Sequence, residues 1–284
     1  MPQPAYVLGH SPAELERLSR QHRLVGGFTR RLFEEAGLGD CRRVLDVGSG
    51  AGDVAFLAAD LIGPEGLVVG VDREAAAVAT AQHRAAELGL SHVRFLQGDP
   101  ATCSLAEPLH DAPFDAPFDA IVGRYVLVFQ SDPAAWLRSL AGRLRPGGVL
   151  VLHEPDFHDL RSNPSVPSYD RCCHWVSEAF RRGGTAVQMA DTLLAAFRGA
   201  DLPSPRMHLE TAVGGGETIG DWLDALAELA TSLEEAMVRY GVVSAEELDV
   251  PNLAARLRRD VSASGAMVFG RSEVGAWCRL PIQV

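Results

Sequence analysis

The sequence predicts an α/β fold built on a doubly wound, mostly parallel sheet, and three observations carry that expectation. Apolar strand-like runs alternate with helical stretches from Arg43 onward, the first run opens into a glycine-rich turn, and carboxylates recur where successive runs end. The runs are RVLDVG at 43–48, LVVGVD at 67–72, HVRFLQGD at 92–99, FDAIVG at 118–123 and VLVLHE at 149–154. Helices are expected between them: one from about Asp53, one ending at Gly89, and one started by Asp132-Pro133 and stopped by the Pro146-Gly147-Gly148 turn. RMHLETAV reads as a sixth strand and AMVFGRSEVGAWCRL as terminal β-structure, giving a seven-stranded sheet.

Residues 11–38 read as helical, because Ser11 can cap, Pro12 suits the first helical position and Glu14 completes a capping box. After Glu154 the rhythm breaks into helix-like stretches near 169–182 and 186–199, then helical segments from about 218 to 260 with Ser244 and Glu247 as a second capping box. The expected organisation is an N-terminal helical segment at 1–40, a ligand-binding core at 41–155, and a remainder at 156–284. That remainder completes the core and carries helical lid insertions at about 156–184 and 214–262. The tandem duplication DAPFDAPFDA at 111–120 reads as a tolerated loop extension.

Composition excludes several classes. A chain of 284 residues that is 47% hydrophobic can bury a full core without a staple. No run approaches the roughly 20 apolar residues of a spanning helix, and MPQPAYVLGHSPAELERL has neither the basic start nor the apolar centre of a signal peptide, so a cytoplasmic protein with no membrane partner is expected. Cys41, Cys103, Cys172, Cys173 and Cys278 form no C-x-x-C pair and read as free thiols. A formal net charge of −11 with scattered arginines disfavours a nucleic-acid partner. Apolar faces on the N-terminal helix leave homo-oligomerisation and packing on the lid as alternatives.

The first strand runs into Asp46-Val47-Gly48-Ser49-Gly50-Ala51-Gly52-Asp53, a turn that lets a ligand approach the backbone closely. A dinucleotide site wants G-x-G-x-x-G to bring a pyrophosphate to a helix N-terminus. Here the third glycine comes one residue early and Asp53 stands in its place, where a carboxylate repels a pyrophosphate; Asp53 itself reads as a helix-start residue. Asp46 adds a second acid, which suits a ligand carrying an ammonium and a sulfonium better than one carrying phosphates. The second strand ends at Asp72, about 20 residues beyond the glycines, where a carboxylate can accept both ribose hydroxyls. The third ends at Gly98-Asp99, where an acid can accept from an adenine amine or cap the following turn. In an open α/β sheet the crevice lies beyond the carboxyl ends of the strands, so Gly48, Asp72 and Asp99 can line one nucleoside-shaped groove.

VLDVGSGAGD, VVGVDRE, VRFLQGDP, FDAIVGRYVL and LRPGGVLVLHEPD resemble the successive motifs of class I S-adenosylmethionine-dependent methyltransferases, across about residues 43–156. The likeness is to the ubiquinone/menaquinone-biosynthesis type and to bacterial small-molecule methyltransferases. It extends more weakly through YVLGHS and VGAWCRLP. The resemblance implies a Rossmann-like core, S-adenosylmethionine as cofactor, and cofactor contacts from Asp46, Gly48, Ser49, Gly50, Asp72, Arg73, Gly98, Asp99, Pro100, Gly123 and Arg124. Within that set Gly48, Ser49 and Gly50 approach the methionine part, Asp72 holds the ribose, Asp99 holds the adenine amine, and Gly123-Arg124 border the amino-acid tail. Arg124 reads equally as a structural ion-pair partner. Ser49 stands where many relatives carry cysteine, which leaves the backbone turn intact.

The implied reaction is methyl transfer to an O, N or C atom of a small molecule, a secondary metabolite or quinone-like acceptor; the alternative is a protein of the same fold that binds the cofactor and directs a cyclisation or rearrangement. Methyl transfer needs orientation and water exclusion more than a catalytic triad. Candidates for a proton acceptor are His153 and His158, with Glu154, Asp156, His10 and His174 behind them; an extended strand would turn His153 and Glu154 to opposite sides. The irregular spacing of His153, Asp156 and His158 argues against a metal site. Tyr125, Trp175, Phe180, Met189 and Trp222 suit either an apolar pocket ceiling or ordinary core packing.

Overall fold

The computed structural model describes residues 12–101 and 117–282, with side chains in the first helix from residue 24 onward. The capping box at Ser11 and Glu14, His10, Cys103 and most of the 111–120 duplication lie outside the described residues. In chain order the elements are α1 (Pro12–Ala36), β1 (Arg43–Val47), α2 (Asp53–Ile62), β2 (Leu67–Asp72), α3 (Ala75–Glu87), β3 (Val93–Gln97), β4 (Phe118–Arg124), α4 (Pro133–Ala141) and β5 (Leu144–Asp156). They continue with β6 (Arg161–Asn163), α5 (Pro167–Arg182), α6 (Met189–Gly199), β7 (Arg206–Gly214), α7 (Gly220–Ser232), α8 (Glu234–Arg239), α9 (Ala245–Leu248), α10 (Val250–Ser264) and β8 (Met267–Arg279). The chain forms two compact units. One comprises residues 26–154, 191–208 and those from 275; the other comprises 155–190, 209–274 and the start of α1.

In the first unit β1 to β5 are parallel, in the order β3-β2-β1-β4-β5. The chain runs outward from β1 to β3 and then returns to the other side of β1 as β4. The order therefore reverses between β1 and β4, which is where a ligand crevice opens beyond the strand ends. Burial is almost continuous along β1 and β2, as a sheet covered on both faces requires. The inward face of α2 is Val54, Ala55, Ala58, Ala59 and Ile62, and its alanines allow close approach to the sheet.

Asp132 caps α4 as expected, accepting from the Ala135 amide at 2.9 Å, and Pro133 opens the helix. The expected stop differs. α4 ends at Gly142, while Pro146-Gly147-Gly148 lies inside β5, at the irregular pairing with β4 where Phe118 faces Leu144 but Ala120 faces Val149. Asp119 sits on that bulge. Its carboxylate accepts the Arg42 amide at 2.7 Å and the Arg43 amide at 2.8 Å and pairs with Arg145, so it ties the start of β1 to β4 and β5.

The second unit has its own core. Tyr169, Cys172, Cys173 and Val176 of α5 pack with Trp222, Leu223 and Leu226 of α7 and with Leu253, Leu257 and Val261 of α10, the last three at helical spacing. The Tyr169 hydroxyl donates to the Phe269 carbonyl at 2.8 Å and accepts from the Trp222 indole at 3.0 Å. Ser244 caps α9, accepting from the Glu247 amide at 3.1 Å. The antiparallel pair β6–β8, Arg161 opposite Phe269, supplies an eighth strand that the expected seven did not include. Trp175, Phe180 and Trp222 belong to this core, so the pocket-ceiling expectation gives way to packing for these three. Cys41, Cys172, Cys173 and Cys278 are free and buried, and burial pushes the Cys172 thiol up to about 12.

Burial alone would raise the Asp119 pKa; the Arg145 guanidinium and the two backbone amides outweigh it and hold the carboxyl below its usual value. A depressed pKa of this kind stabilises the fold above the unfolded carboxyl range and loses that contribution as pH falls through the folded value. Asp119→Ala should cost about 1–3 kcal/mol in urea unfolding near neutral pH. An unchanged midpoint there would show that the bulge holds without it.

Candidate active site

The parallel strands end level with one another: Val47 faces Val71 and Gly123, Asp72 faces Gln97, and Arg124 faces His153. This register gathers all eleven expected cofactor residues at one edge of the first unit. Gly48 and Gly50 turn the chain with φ of 68° and 51°, values that disfavour any side chain. The Gly48 and Ser49 amides donate to the Val71 carbonyl at 2.8 and 3.1 Å, and the Gly50 amide donates to Asp72 Oδ2 at 2.8 Å. A Cβ added at Gly50 would meet nothing within 4 Å, which leaves the backbone open to a ligand. Arg84 of α3 secures the far side, donating to the Ala51 carbonyl at 2.6 Å and to Asp53 at 2.8 Å. Asp53 is the first residue of α2, as its helix-start reading expects.

Asp72 Oδ1 also accepts the Glu74 amide at 3.0 Å, so the carboxylate braces two turns while each oxygen keeps a lone pair. The Gly98 amide donates to the Asp72 carbonyl at 2.8 Å. Asp99 accepts the Ala101 amide at 2.9 Å and pairs with Arg73 at 2.6 Å, and Pro100 is buried beside it. Turn-capping at Asp99 is thus present in the structure. The Arg73 pair is largely exposed, and such pairs contribute only about 0–1 kcal/mol, so a ligand can exchange with it at little cost.

Asp46 is fully buried on β1, and neither carboxylate oxygen has a well-formed hydrogen bond. Desolvation drives its pKa well above the ordinary value. Arg124 and the Ala55 amide oppose that rise, while Asp72 and Asp53 add to it. The Ser49 hydroxyl, also buried, likewise has no partner. Three buried oxygens without a hydrogen bond, two near the end of β1 and one in the turn after it, are costly unless a donor arrives. Arg124 reaches Thr29 Oγ1 at 3.4 Å and lies 5.9 Å from the Tyr125 ring centre, and Tyr125 adopts a left-handed φ of 59° with its amide bonded to the His153 carbonyl at 2.8 Å.

The proton-acceptor candidates separate. His153 is fully buried, with Nδ1 3.0 Å from Thr29 Oγ1 and its ring edge-on to Phe28 and Tyr125. Glu154 is equally buried and bonded to backbone amides after β4. In the second unit Asp156 accepts the His158 and Ala190 amides at 2.8 and 2.9 Å, while His158 is exposed with Nδ1 2.9 Å from Gln188 Nε2. His174 is exposed on α5. Sequence reasoning missed Phe28 and Thr29 as partners of His153, since nothing in α1 marks them, and missed Arg84, whose only signal is its place in the last turn of α3. Among the described residues no group of His, Cys, Asp and Glu is placed to hold a metal ion, and no helix is long and apolar enough to cross a membrane.

Residues 39–191 match the family model described as a methyltransferase domain, and the chain belongs to that family. It is an enzyme of the S-adenosylmethionine-dependent class. A 2-phytyl-1,4-naphtoquinone methyltransferase from Synechococcus elongatus is 38% identical over 180 residues, 61% of this chain and 70% of the relative. A ubiquinone/menaquinone biosynthesis C-methyltransferase from Pseudomonas syringae pv. tomato is 35% identical over 135 residues, 47% of this chain and 48% of the relative. The structure of geranyl diphosphate C-methyltransferase from Streptomyces coelicolor, solved with S-adenosyl-L-homocysteine, shares the fold at a TM-score of 0.51 and 21% identity, over 94% of this chain and 81% of that one.

The residues present fit this cofactor, because the unpartnered Asp46 and Ser49 oxygens await donors and the open Gly50 backbone admits a ligand. Since burial raises the Asp46 pKa, the folded protein favours its neutral form, and ionisation costs stability increasingly as pH rises above the unfolded value of 3.8. Asp46→Asn should therefore raise the thermal midpoint of the ligand-free protein near pH 8, with the gain vanishing towards about pH 4. A midpoint equal to or below the parent at the higher pH would show that the carboxyl carries no such penalty.

Proposed function

We propose that the enzyme methylates an O, N or C atom of a small secondary metabolite or quinone-like acceptor, with the cofactor held by the carboxyl edge of residues 41–155. The observation that carries the reading is the series Asp46, Asp72 and Asp99 at the ends of three neighbouring strands, with the glycine turn between them. Two relatives named for methylating naphthoquinone and for ubiquinone/menaquinone biosynthesis support the acceptor class. A net charge of −11 supports a small molecule over a nucleic acid. Acceptor recognition is assigned to the segments at about 156–184 and 214–262, and nothing in this reading requires self-association.

Asp72 would accept the ribose hydroxyls with the lone pairs its backbone bonds leave, and Asp99 would accept from the adenine amine. Asp46, with Arg124 nearby, would face the ammonium of the cofactor's amino-acid tail. The bound cofactor supplies an electrophilic methyl on a sulfonium, open to in-line attack without a covalent enzyme intermediate. The chain's contribution is to orient the acceptor and exclude water. Where the acceptor must lose a proton, the exposed candidates are His158 and His174, whereas His153 is buried against Phe28, Thr29 and Tyr125.

A mass-spectrometric screen for metabolites that gain one methyl, coupled to stoichiometric S-adenosylhomocysteine formation, tests the reaction. Conversion of an acceptor without S-adenosylhomocysteine would favour the cyclisation or rearrangement alternative. For the cofactor edge, Asp72→Ala should weaken S-adenosylhomocysteine binding about 10- to 100-fold by calorimetry, because it removes the ribose acceptor and the brace on Gly50 together. Parent protein that binds NAD more tightly than S-adenosylhomocysteine would overturn the assignment.

A further inference from the structure

Glu154 is an acidic residue, fully buried and absent from the chemistry above. Oε1 accepts the amides of Val126 at 3.0 Å and Leu127 at 2.8 Å, and Oε2 accepts that of Val128 at 3.4 Å. These amides belong to the turn that leaves β4, where the single-turn helix Leu127–Phe129 begins. The preceding residue in the chain, His153, holds the same turn through its backbone, its carbonyl accepting the Tyr125 amide. Tyr125 is a non-glycine residue in left-handed backbone, a conformation that persists only where its surroundings impose it. Consecutive residues of β5 thus clamp residues 125–128 by main chain and side chain together.

The clamped turn presses on the cofactor edge through Val126. A Cβ built on Gly48 would stand 2.3 Å from Val126 Cγ1, and one built on Gly123 would stand 2.8 Å from Val126 Cγ2. Val126 therefore fills the space beside both glycines, and the turn that carries it sets how far the Gly48 backbone can shift. A buried side chain that accepts from three successive backbone amides holds those amides and itself in one arrangement.

We propose that Glu154 is a positioning residue for the amino-acid tail of the cofactor: it fixes the 125–128 turn, which wedges Val126 against Gly48 and Gly123 without touching the ligand. This rests on the reading that Gly48–Gly50 and Gly123-Arg124 border that tail. The nucleoside end rests on Asp72 and Asp99, whose hydrogen bonds go to Gly50, Glu74, Ala101 and Arg73 and not to the 125–128 turn.

The test compares S-adenosylhomocysteine with 5′-methylthioadenosine, which carries the nucleoside and lacks the amino-acid tail. By calorimetry Glu154→Gln should weaken S-adenosylhomocysteine about tenfold and 5′-methylthioadenosine less than about twofold, whereas Asp72→Ala weakens both. Equal loss of both ligands in folded Glu154→Gln, or loss of neither, overturns the proposal. Should that variant not fold, hydrogen exchange on the parent protein decides: the Val126, Leu127 and Val128 amides should gain protection with S-adenosylhomocysteine and not with 5′-methylthioadenosine, and equal protection overturns it. Parent protein that binds neither ligand defeats the cofactor reading itself, an outcome distinct from either of these.

Discussion

The hydrogen bond from the Gly50 amide to Asp72 joins the turn after β1 to the end of β2, and the cofactor edge is organised around it. Glycines at positions 48, 50 and 52 impose no geometry of their own, and the brace works with the Gly48 and Ser49 bonds to Val71 and the Arg84 bond to Ala51 to hold the left-handed turn. Asp72 does this from a strand end whose register with β1 is set by continuous pairing from Arg43–Leu67 to Val47–Val71. The same carboxylate accepts the Glu74 amide, so one side chain ties together the turns that follow β1 and β2.

The acids along this edge are compensated unequally, and the inequality matters. Asp53 is tied to Arg84 in a partly buried pair, and Asp99 to Arg73 in an exposed one. Asp46 has only the field of Arg124 and a weak backbone contribution, against complete desolvation. A buried acid in that position raises its pKa instead of standing ionised.

The second unit solves a different problem. Its helices bury Tyr169, Trp175, Trp222 and their neighbours among themselves, with the Trp222 indole donating to the Tyr169 hydroxyl and that hydroxyl donating to the Phe269 carbonyl. Aromatic residues with a polar tip are buried cheaply when the tip finds a partner. β5 and β8 each begin in one unit and finish in the other, so the chain passes between the units within strands.

How much of this was legible beforehand follows from the range of the interactions involved. The βαβ rhythm, the glycine turn, Asp72 and Asp99 at strand ends, and the caps Asp132 and Ser244 all depend on neighbours within a few residues or on a fixed strand register, and local pattern carries that information. The short β6 has no periodic signal in three residues, and Pro146-Gly147-Gly148 looks like a helix stop until β4 is laid beside it as a bulged partner. His153 and Glu154 looked like alternating strand residues of which at most one would face a groove; the structure buries both. The reason is tertiary: Thr29 and Phe28, 124 and 125 positions away in α1, enclose the histidine, and a turn 26 to 28 residues away gathers its amides onto the glutamate. Partners that distant leave no mark in the sequence around either residue, so its chemistry was readable while its exposure was not.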